Sequence, residues 1–324
     1  MSQKHPIVAV TGSSGAGTST VKSAFEHIFF REKINSFIIE GDSFHKYNRQ
    51  EMKDAVKESA KLGKKLTHFG PEGNLFDKIE GLFKQYSQDG TGQRRFYIHS
   101  EEEGEKFNQA PGTFTPWEDI PADTDLLFYE GLHGGVVDKD IDMAQWVDLL
   151  VGVVPIVNLE WIQKIHRDSS ERGYSAEAVT DTILRRMDDY VKYITPQFSQ
   201  SHINFQRVPV VDTSNPFIAR DIPTADESLV VIRFKEPSKI DFPYLLNMID
   251  KSFMSRPNTI VVPGGKMGFA MEIILNPLAF PSNSHKSVYC CSVRLSLKLI
   301  PSPFLKKSPI AISPLCPKGG FPMS

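Results

Sequence analysis

The N-terminal end of the chain constrains its fold more than any other segment. An apolar run at residues 7–10, Ile-Val-Ala-Val, has the character of a strand, and a loop rich in glycine and hydroxyl residues follows it. The next segment carries apolar residues at helical spacing on one face: Val21, Ala24, Phe25, Ile28 and Phe29. Glycines let several backbone N–H groups approach one anion, and a helix N-terminus adds partial positive charge. This order of strand, loop and helix predicts a phosphate-binding loop made of Gly12, Ser13, Ser14, Gly15, Ala16, Gly17, Thr18, Ser19 and Thr20.

The loop departs from the pattern G-x-x-x-x-G-K-[ST] at one position. Thr18 stands where the pattern has a lysine, whose ammonium group touches the terminal phosphates. Ser19 stands where the pattern has the hydroxyl that binds Mg²⁺. A nucleotide site on this loop therefore needs a cation from elsewhere in the chain. The alternative is a glycine- and serine-rich turn with no ligand.

Composition excludes several classes of protein. The chain has 324 residues, is 40% hydrophobic and 23% charged, and has a net charge of -2, which is typical of a globular protein and not of a nucleic-acid or anionic-membrane binder. No secretory signal precedes the first strand, and Pro155, Asn158 and Glu160 interrupt the most apolar stretch, residues 149–162. We therefore expect a cytoplasmic protein. The cysteines fall within residues 290–324, so the body has no disulfide.

The chain divides into an α/β body, residues 1–278, and an atypical tail, residues 279–324. In the body, strand-like runs alternate with helical patterns, which predicts a mainly parallel, mixed sheet flanked by helices. The predicted strands cover residues 7–10, 37–40, 125–129, 149–154, 208–211, 229–234 and 259–262. The predicted helices after the first cover residues 75–86, 160–172, 176–191 and 244–253. Residues 67–115 read as an insertion, and the proline- and serine-rich tail reads as poorly ordered or as a reading-frame artefact.

Two predicted strands end in carboxylates. The apolar run that begins at Asp125 ends at Glu130, which suits a metal ligand, although a carboxylate at a sheet edge can also simply face water. Asp42 follows the second strand, where a carboxylate can accept a proton from an attacking hydroxyl. If the segment is helical, His45 and Arg49 share its face with Asp42 and suit a sugar phosphate. The alternative is a helix cap at Asp42 with solvated His45 and Arg49.

Cations also cluster on the predicted helix over residues 160–172. Arg167 and Asp168 lie three and four positions after Lys164, Arg172 lies five and four positions after them, and Gly173 is a suitable stop. Such a set is also typical of a salt-bridged surface helix. Because Thr18 replaces the loop lysine, we favour a functional role, with Lys164 supplying the missing charge. Arg185 and Arg186, late on the following helix, add charge near the nucleotide.

Several long segments together resemble one family. The residues at 12–20, 40–45, 128–135, 154–168 and 211–220 are similar to those of the proteobacterial class of phosphoribulokinase, which is related to uridine and pantothenate kinases. The resemblance runs from the N-terminus to about Pro277. It implies a P-loop fold of the nucleoside-monophosphate-kinase type and transfer of phosphate from ATP to D-ribulose 5-phosphate, giving D-ribulose 1,5-bisphosphate.

The resemblance also implies residue roles. Asp42 would be the general base, Lys164 and Arg167 would act at the transferring group, and Ser19, Glu130 and Asp168 would serve Mg²⁺. The sugar phosphate would be held by His45, Arg49, Arg172 and Arg31, and Arg185 would lie beside the nucleotide. The class is known for homo-oligomers activated by NADH and inhibited by AMP, with regulatory positions matched by Arg186, Arg233 and Arg256.

Two other functions stay open from the residues alone. One is a related small-molecule kinase with a uridine-type or other sugar-phosphate acceptor. The other is a nucleotide-binding regulator that has lost catalysis, which predicts the loss of Asp42, Asp168 or Lys164, whereas all three are present. Each of these readings expects a small-molecule ligand and neither a nucleic acid nor a membrane as partner.

Overall fold

The computed structural model describes residues 5–13, 17–170, 173–219 and 221–279. Ser14, Gly15, Ala16 and Arg172 lie outside the described residues, as does the tail from residue 280. Helices are α1 Thr18–Glu32, α2 Arg49–Lys61, α3 Phe76–Asp89, α4 Glu101–Phe107, α5 Val157–Ser170, α6 Ala176–Asp189, α7 Gln197–Gln200, α8 Phe242–Met248 and α9 Met267–Ala279. Within these ranges no helix has the length and the apolar character needed to span a bilayer.

The strands form one large sheet and two short ribbons. They are β1 Ile7–Gly12, β2 Ser36–Glu40, β3 Gln93–Arg94, β4 Glu118–Asp119, β5 Leu126–Gly131, β6 Val137–Asp138, β7 Ile141–Asp142, β8 Leu149–Val153, β9 Ile203–Pro209, β10 Ser228–Phe234, β11 Phe253–Arg256 and β12 Thr259–Pro263. The eight-stranded sheet has the order β11-β12-β10-β9-β8-β1-β5-β2. Its half from β2 to β9 is parallel, and β10, β12 and β11 add antiparallel pairs. The predicted α/β class and mixed sheet are confirmed.

Helices cover both faces of the sheet, and β1 shows why. Its side chains alternate, so that Val8 and Val10 pack toward α1 and α9, whereas Ile7 and Ala9 pack toward α3. All four are fully buried. The apolar face predicted for α1 is also buried in the first of these two cores. Burial on both sides fixes β1 at the centre of the sheet, with its carboxyl end aimed at one edge.

Helices α5 and α6 pack mainly on each other. Their contact buries Ile165, Val179 and Ile183 in a small cluster apart from the two main cores. Gly173, between the helices, has a φ of 70°, a conformation that suits glycine. The charged face of α5 is therefore carried by a helical pair at the edge of the sheet.

Two predicted elements were wrong in extent. The strand predicted at residues 208–211 starts earlier, at Ile203, because Ile203 and Phe205 are buried in alternation with Asn204 and so form a one-sided strand. The helix predicted to residue 253 ends at Met248. Lys251 then turns with a φ of 60°, and Phe253 pairs with β12. Helices α2, α4, α7 and α9, the strand β11 and the strands of the two short ribbons were not predicted.

A buried amide ties the loop after β5 to the centre of the sheet. Gln197, 1% exposed, accepts hydrogen bonds from Thr11 Oγ1 at 2.8 Å and from the Gly135 amide at 2.9 Å. Its own amide donates to the carbonyls of Leu132 and Tyr193, both at 2.8 Å. Four hydrogen bonds satisfy the side chain completely.

Replacing this amide is expected to destabilise the protein. Gln197→Leu leaves buried backbone groups without partners, so we expect a loss of about 2–4 kcal/mol in the free energy of unfolding. Gln200→Leu, an exposed change on the same helix, serves as the control and is expected to stay within about 0.5 kcal/mol of wild type. Urea denaturation followed by circular dichroism measures both, and equal stabilities would contradict the role of the network.

Candidate active site

A cleft of about 750 Å³ opens at the carboxyl edge of the parallel strands. Strands β1, β2, β5 and β8 all end there, and β5 separates β1 from β2 in the sheet. This is where ligands bind in open α/β sheets. Five of the predicted or chemically relevant residues line this one cleft: Thr18, Ser19, Asp42, His99 and Glu130.

The described part of the phosphate loop has the geometry that glycine allows. Gly17 has a φ of 100°, a left-handed conformation, and α1 begins directly after it. A Cβ at Gly12 would lie 2.9 Å from the carbonyl oxygen of Val153, so the loop leaves β1 against the end of β8. The start of α1 thus points its free N–H groups into the cleft.

A partly buried carboxylate lies close to the start of α1. Burial raises the pKa of Glu130, and a hydrogen bond with Thr18 and the nearby charge of Lys22 oppose that shift. Lys22 itself is bonded to Glu40 at 2.7 Å. Thr18, in the lysine slot, therefore lies against a carboxylate.

These residues fit Mg²⁺ in the way that phosphate sites bind it. Within the described ranges no group of three carboxylate, histidine or cysteine side chains could cage a metal ion. Mg²⁺ usually keeps several waters and takes one or two protein ligands together with phosphate oxygens. Ser19 and Glu130 line the same cleft and can supply those ligands.

Asp42 also lines the cleft, with 44% of its side chain exposed. His45 Nε2 is 3.3 Å from one carboxylate oxygen, and His99 Nε2 is 3.8 Å from the other. Burial in the cleft favours a raised pKa for Asp42, but the hydrogen bond with His45 and the nearby histidines hold the pKa well below its usual value. Asp42 is therefore an ionised carboxylate able to accept a proton.

Asn74 fixes the orientation of His45. The amide nitrogen of Asn74 donates to the carbonyls of His68 and Gly70, at 2.8 and 2.7 Å, which leaves its oxygen to accept from His45 Nδ1 at 2.8 Å. His45 Nε2 then faces Asp42 and donates to its carboxylate when the ring is protonated. Behind them, burial lowers the pKa of His68 and of His133 to about 3, so both are neutral.

The predicted helical face shared by Asp42, His45 and Arg49 was wrong. A 3₁₀ turn, Gly41–Phe44, carries Asp42, and His45 is extended at its end. Asn48, not Asp42, caps α2 through the amides of Gln50 and Glu51. Arg49, at the start of α2, donates to the carbonyl of His99 at 3.1 Å, so it still lies beside the cleft.

Helix α5 brings Lys164 and two of its predicted partners together. Lys164 Nζ is 2.6 Å from one oxygen of Asp168, and Arg167 Nε is 3.1 Å from the other. Burial lowers the pKa of Lys164, against the effect of Asp168. Arg167 lines the cleft, whereas both oxygens of Asp168 contact cations, so in this conformation Asp168 holds Lys164 and Arg167 in place.

A buried carboxylate links α5 to the phosphate loop. Glu160, one turn before Lys164, accepts a hydrogen bond from the Tyr190 hydroxyl at 3.0 Å. Burial raises the pKa of Glu160, and the nearby hydroxyl groups of Ser13 and Tyr190 oppose that shift. Ser13 therefore lies beside the first turn of α5, the helix that carries Lys164.

Several predicted residues are not brought to the cleft. Arg31 lies near the far end of α1, about 20 Å along its axis from Thr18, and pairs with Glu272 of α9 at 3.2 Å. Arg185 is exposed on α6, while the neighbouring Arg186 faces inward, with its guanidinium 5.8 Å from the ring of Phe69. The expectation that Arg31 holds the sugar phosphate of its own chain is therefore not supported.

The three arginines assigned to regulation fall into two places. Arg233 on β10 and Arg256 on β11 are both register partners of Thr259, on either side of β12, and both are exposed. Arg186, on α6, influences His68 and Lys164 electrostatically and so belongs to the neighbourhood of the cleft.

His99 was missed by the sequence reasoning. It follows a short strand-like run at residues 94–98 and reaches Asp42 from a segment more than fifty positions away. The one sequence feature that could have indicated His99 as a site residue is its position directly after that strand-like run.

A phosphate loop at the end of the first strand, with Glu130 and an ionised Asp42 lining the same cleft, defines a P-loop kinase of small molecules. The chain belongs to the phosphoribulokinase / uridine kinase family, whose sequence model matches residues 7–214. It is 64% identical over 278 residues to a plasmid phosphoribulokinase of Cupriavidus necator, covering 86% of this chain and 95% of the relative. It is 60% identical over 279 residues to the phosphoribulokinase of Nitrobacter vulgaris, covering 86% and 96%. The solved phosphoribulokinase from Rhodobacter spheroides superposes with a TM-score of 0.79 at 56% identity, covering 86% and 97%.

Proposed function

We propose that this protein transfers the terminal phosphoryl group of ATP to D-ribulose 5-phosphate, giving ADP and D-ribulose 1,5-bisphosphate. The observation that carries the proposal is the ionised Asp42, held by His45 and His99 across the cleft from the phosphate loop. High identity to phosphoribulokinases over nearly their whole length supports the choice of acceptor.

Asp42 is the group that receives the proton of the attacking hydroxyl. Its lowered pKa keeps it ionised at neutral pH, and the cleft brings it within the same space as the start of α1. The hydroxyl then attacks the terminal phosphorus in line with the leaving ADP oxygen. His45 and His99 hold the carboxylate and, with Arg49, offer donors to the sugar phosphate.

The nucleotide end of the cleft supplies neutralising charge. The N–H groups at the start of α1 and the loop Gly12–Thr20 would bind phosphate oxygens. Ser19 and Glu130 would hold Mg²⁺, which would supply positive charge against the phosphates. Asp168 joins them as a metal ligand if α5 moves inward. Lys164 and Arg167 bring the cationic charge that Thr18 does not provide.

The resemblance also carries finer proposals. Arg233 and Arg256, exposed on either side of Thr259, suit phosphate groups of NADH as activator or AMP as inhibitor, with Arg186 relaying the effect to the cleft. Arg185 remains a nucleotide-side candidate if α6 moves. The working form is a homo-oligomer in the cytoplasm.

An acceptor panel tests the substrate. ADP release, coupled to NADH oxidation by pyruvate kinase and lactate dehydrogenase, is measured with ribulose 5-phosphate, uridine, pantothenate and no acceptor. We expect kcat/KM for ribulose 5-phosphate to exceed that for uridine by at least about 10³-fold, because a site built for a phosphate group rejects acceptors that lack it. Turnover of uridine at an equal or higher kcat/KM would contradict the proposal.

A further inference from the structure

Arg95 holds the segment that carries the proposed base. Its Nε donates to the carbonyl of Ser43 at 2.8 Å, and its Nη2 donates to the carbonyl of His45 at 2.6 Å. Both bonds are partly buried. The carbonyl of Phe44 lies between these two acceptors in the chain. It points away from Arg95 and accepts a hydrogen bond from the Leu75 amide at 2.9 Å.

The guanidinium acts here in place of a neighbouring strand. On one side the segment pairs with a second stretch of backbone, through a bridge between His45 and Asn74 and a bond from the Lys46 amide to the carbonyl of Gly73 at 2.9 Å. On the other side the two donors of Arg95 take the place of backbone N–H groups. A planar fork with several donors can do this, whereas the point charge of a lysine cannot.

Aromatic rings fix the guanidinium itself. It lies 3.6 Å from the ring centroid of Phe114 and 4.8 Å from that of Trp117. Trp117 also packs edge-on against Phe44, at 5.5 Å between centroids. Arg95, the turn and the residues that position it therefore form one packed unit.

Arg95 and His99 come from the same stretch of chain. Residues 96–98 pair with residues 113–115, so the stretch is itself held. It brings His99 to the open side of Asp42, at 3.8 Å, and Arg95 to the backbone behind it.

We propose that Arg95 is a positioning residue that fixes Asp42 and His45 in their reactive orientation through the carbonyls of Ser43 and His45. The proposal rests on the proposed function, since it concerns the same base. Arg95 touches no reacting atom in it. Its role is to prevent small displacements of the turn, and a misplacement of about 1 Å can cost about 10²-fold in rate.

The neighbouring Arg94 offers a matched control. Its guanidinium also lies between two rings, 4.3 Å from Phe37 and 4.4 Å from Phe96, and it bonds Glu118 at 2.7 Å. Its bonds and ring contacts involve no residue of the turn. Both alanine variants therefore remove a cation that packs on aromatic rings. Only Arg95→Ala also removes the hydrogen bonds that position the turn.

Kinetics of Arg95→Ala and Arg94→Ala test the role. We expect Arg95→Ala to lower kcat with ribulose 5-phosphate by about 10²-fold, with little change in KM for ATP, and Arg94→Ala to stay within about threefold of wild type. Guanidinium chloride, added well below denaturing concentrations, is expected to restore part of the rate of Arg95→Ala. The same concentration of sodium chloride is expected to restore none of it. Equal losses in the two variants, or no rescue of a folded Arg95→Ala, would overturn the proposal.

Hydrogen exchange provides a readout that needs no turnover. We expect amides of residues 41–46 to exchange faster in Arg95→Ala than in Arg94→Ala, and to slow again with guanidinium. Arg95→Lys keeps much of the packing if the alanine variant does not fold, and we expect it to show the same faster exchange. Unchanged exchange in both Arg95 variants would refute the positioning role. A wild type inactive with ribulose 5-phosphate would refute only the proposed function.

Discussion

Asp42→Asn is expected to lower kcat by about 10²–10⁴-fold while the Kd for ATP stays near that of wild type. An amide has the shape of the carboxylate but cannot take the proton of the attacking hydroxyl. In the proposed function the nucleotide phosphates bind around the start of α1 and not at Asp42, so ATP binding should not depend on the change. Coupled ADP release gives kcat, and calorimetric titration gives the Kd for ATP.

Asp54→Asn is the matched control for this variant. Asp54 is an exposed carboxylate on α2, 58% accessible, that pairs with Lys57 at 3.9 Å and lies outside the lining of the cleft. It should retain wild-type kcat. Near-normal turnover by Asp42→Asn would remove Asp42 from the role of base, and loss of ATP binding would mean that the change had disturbed the whole cleft.

The second large effect is expected for Lys164→Met. If Lys164 replaces the cation missing from Thr18, its loss should lower kcat by about 10²–10³-fold, the cost of removing one group that stabilises transition-state charge. Lys164 and Asp168 form a buried pair, and removing one partner of such a pair costs about 3–5 kcal/mol of stability. The rate must therefore be measured at a temperature where thermal unfolding shows the variant folded.

Two variants separate charge from stability in this experiment. Lys65→Met breaks an exposed ion pair with Asp188 of the same 2.6 Å length and should leave kcat unchanged. Lys164→Arg keeps a cation beside Asp168, so its loss of rate should be smaller than that of Lys164→Met if the position supplies charge. A folded Lys164→Met with wild-type kcat would show that another cation serves the phosphoryl group.

Patterns that are local in sequence predicted the nucleotide half of the site. The periodicity of Val21 to Phe29 identified α1, and every residue of that predicted face is buried. Asp42 and Glu130 were placed correctly in the cleft because parallel strands end at the same edge. Strand ends thus locate ligand residues without any knowledge of the loops between them.

Contacts made by distant loops could not be predicted in the same way. His99 and Arg95 reach the turn after β2 only because the chain at residues 93–119 folds back over it. Arg31 was assigned to the sugar phosphate by resemblance alone, although the length of α1 carries it to the other edge of the sheet. The position of Arg31 near the end of a long predicted helix could have shown that it lies far from the phosphate loop. Nothing in the sequence shows which loop covers Asp42.

Identification of the product tests the central claim most directly. Purified protein is incubated with ATP, Mg²⁺ and ribulose 5-phosphate, and the mixture is followed by proton-coupled phosphorus NMR. We predict a new phosphomonoester signal split by the two protons of C1, growing in step with ADP and absent with Asp42→Asn. ADP formed together with inorganic phosphate, with ribulose 5-phosphate unchanged, would contradict the account.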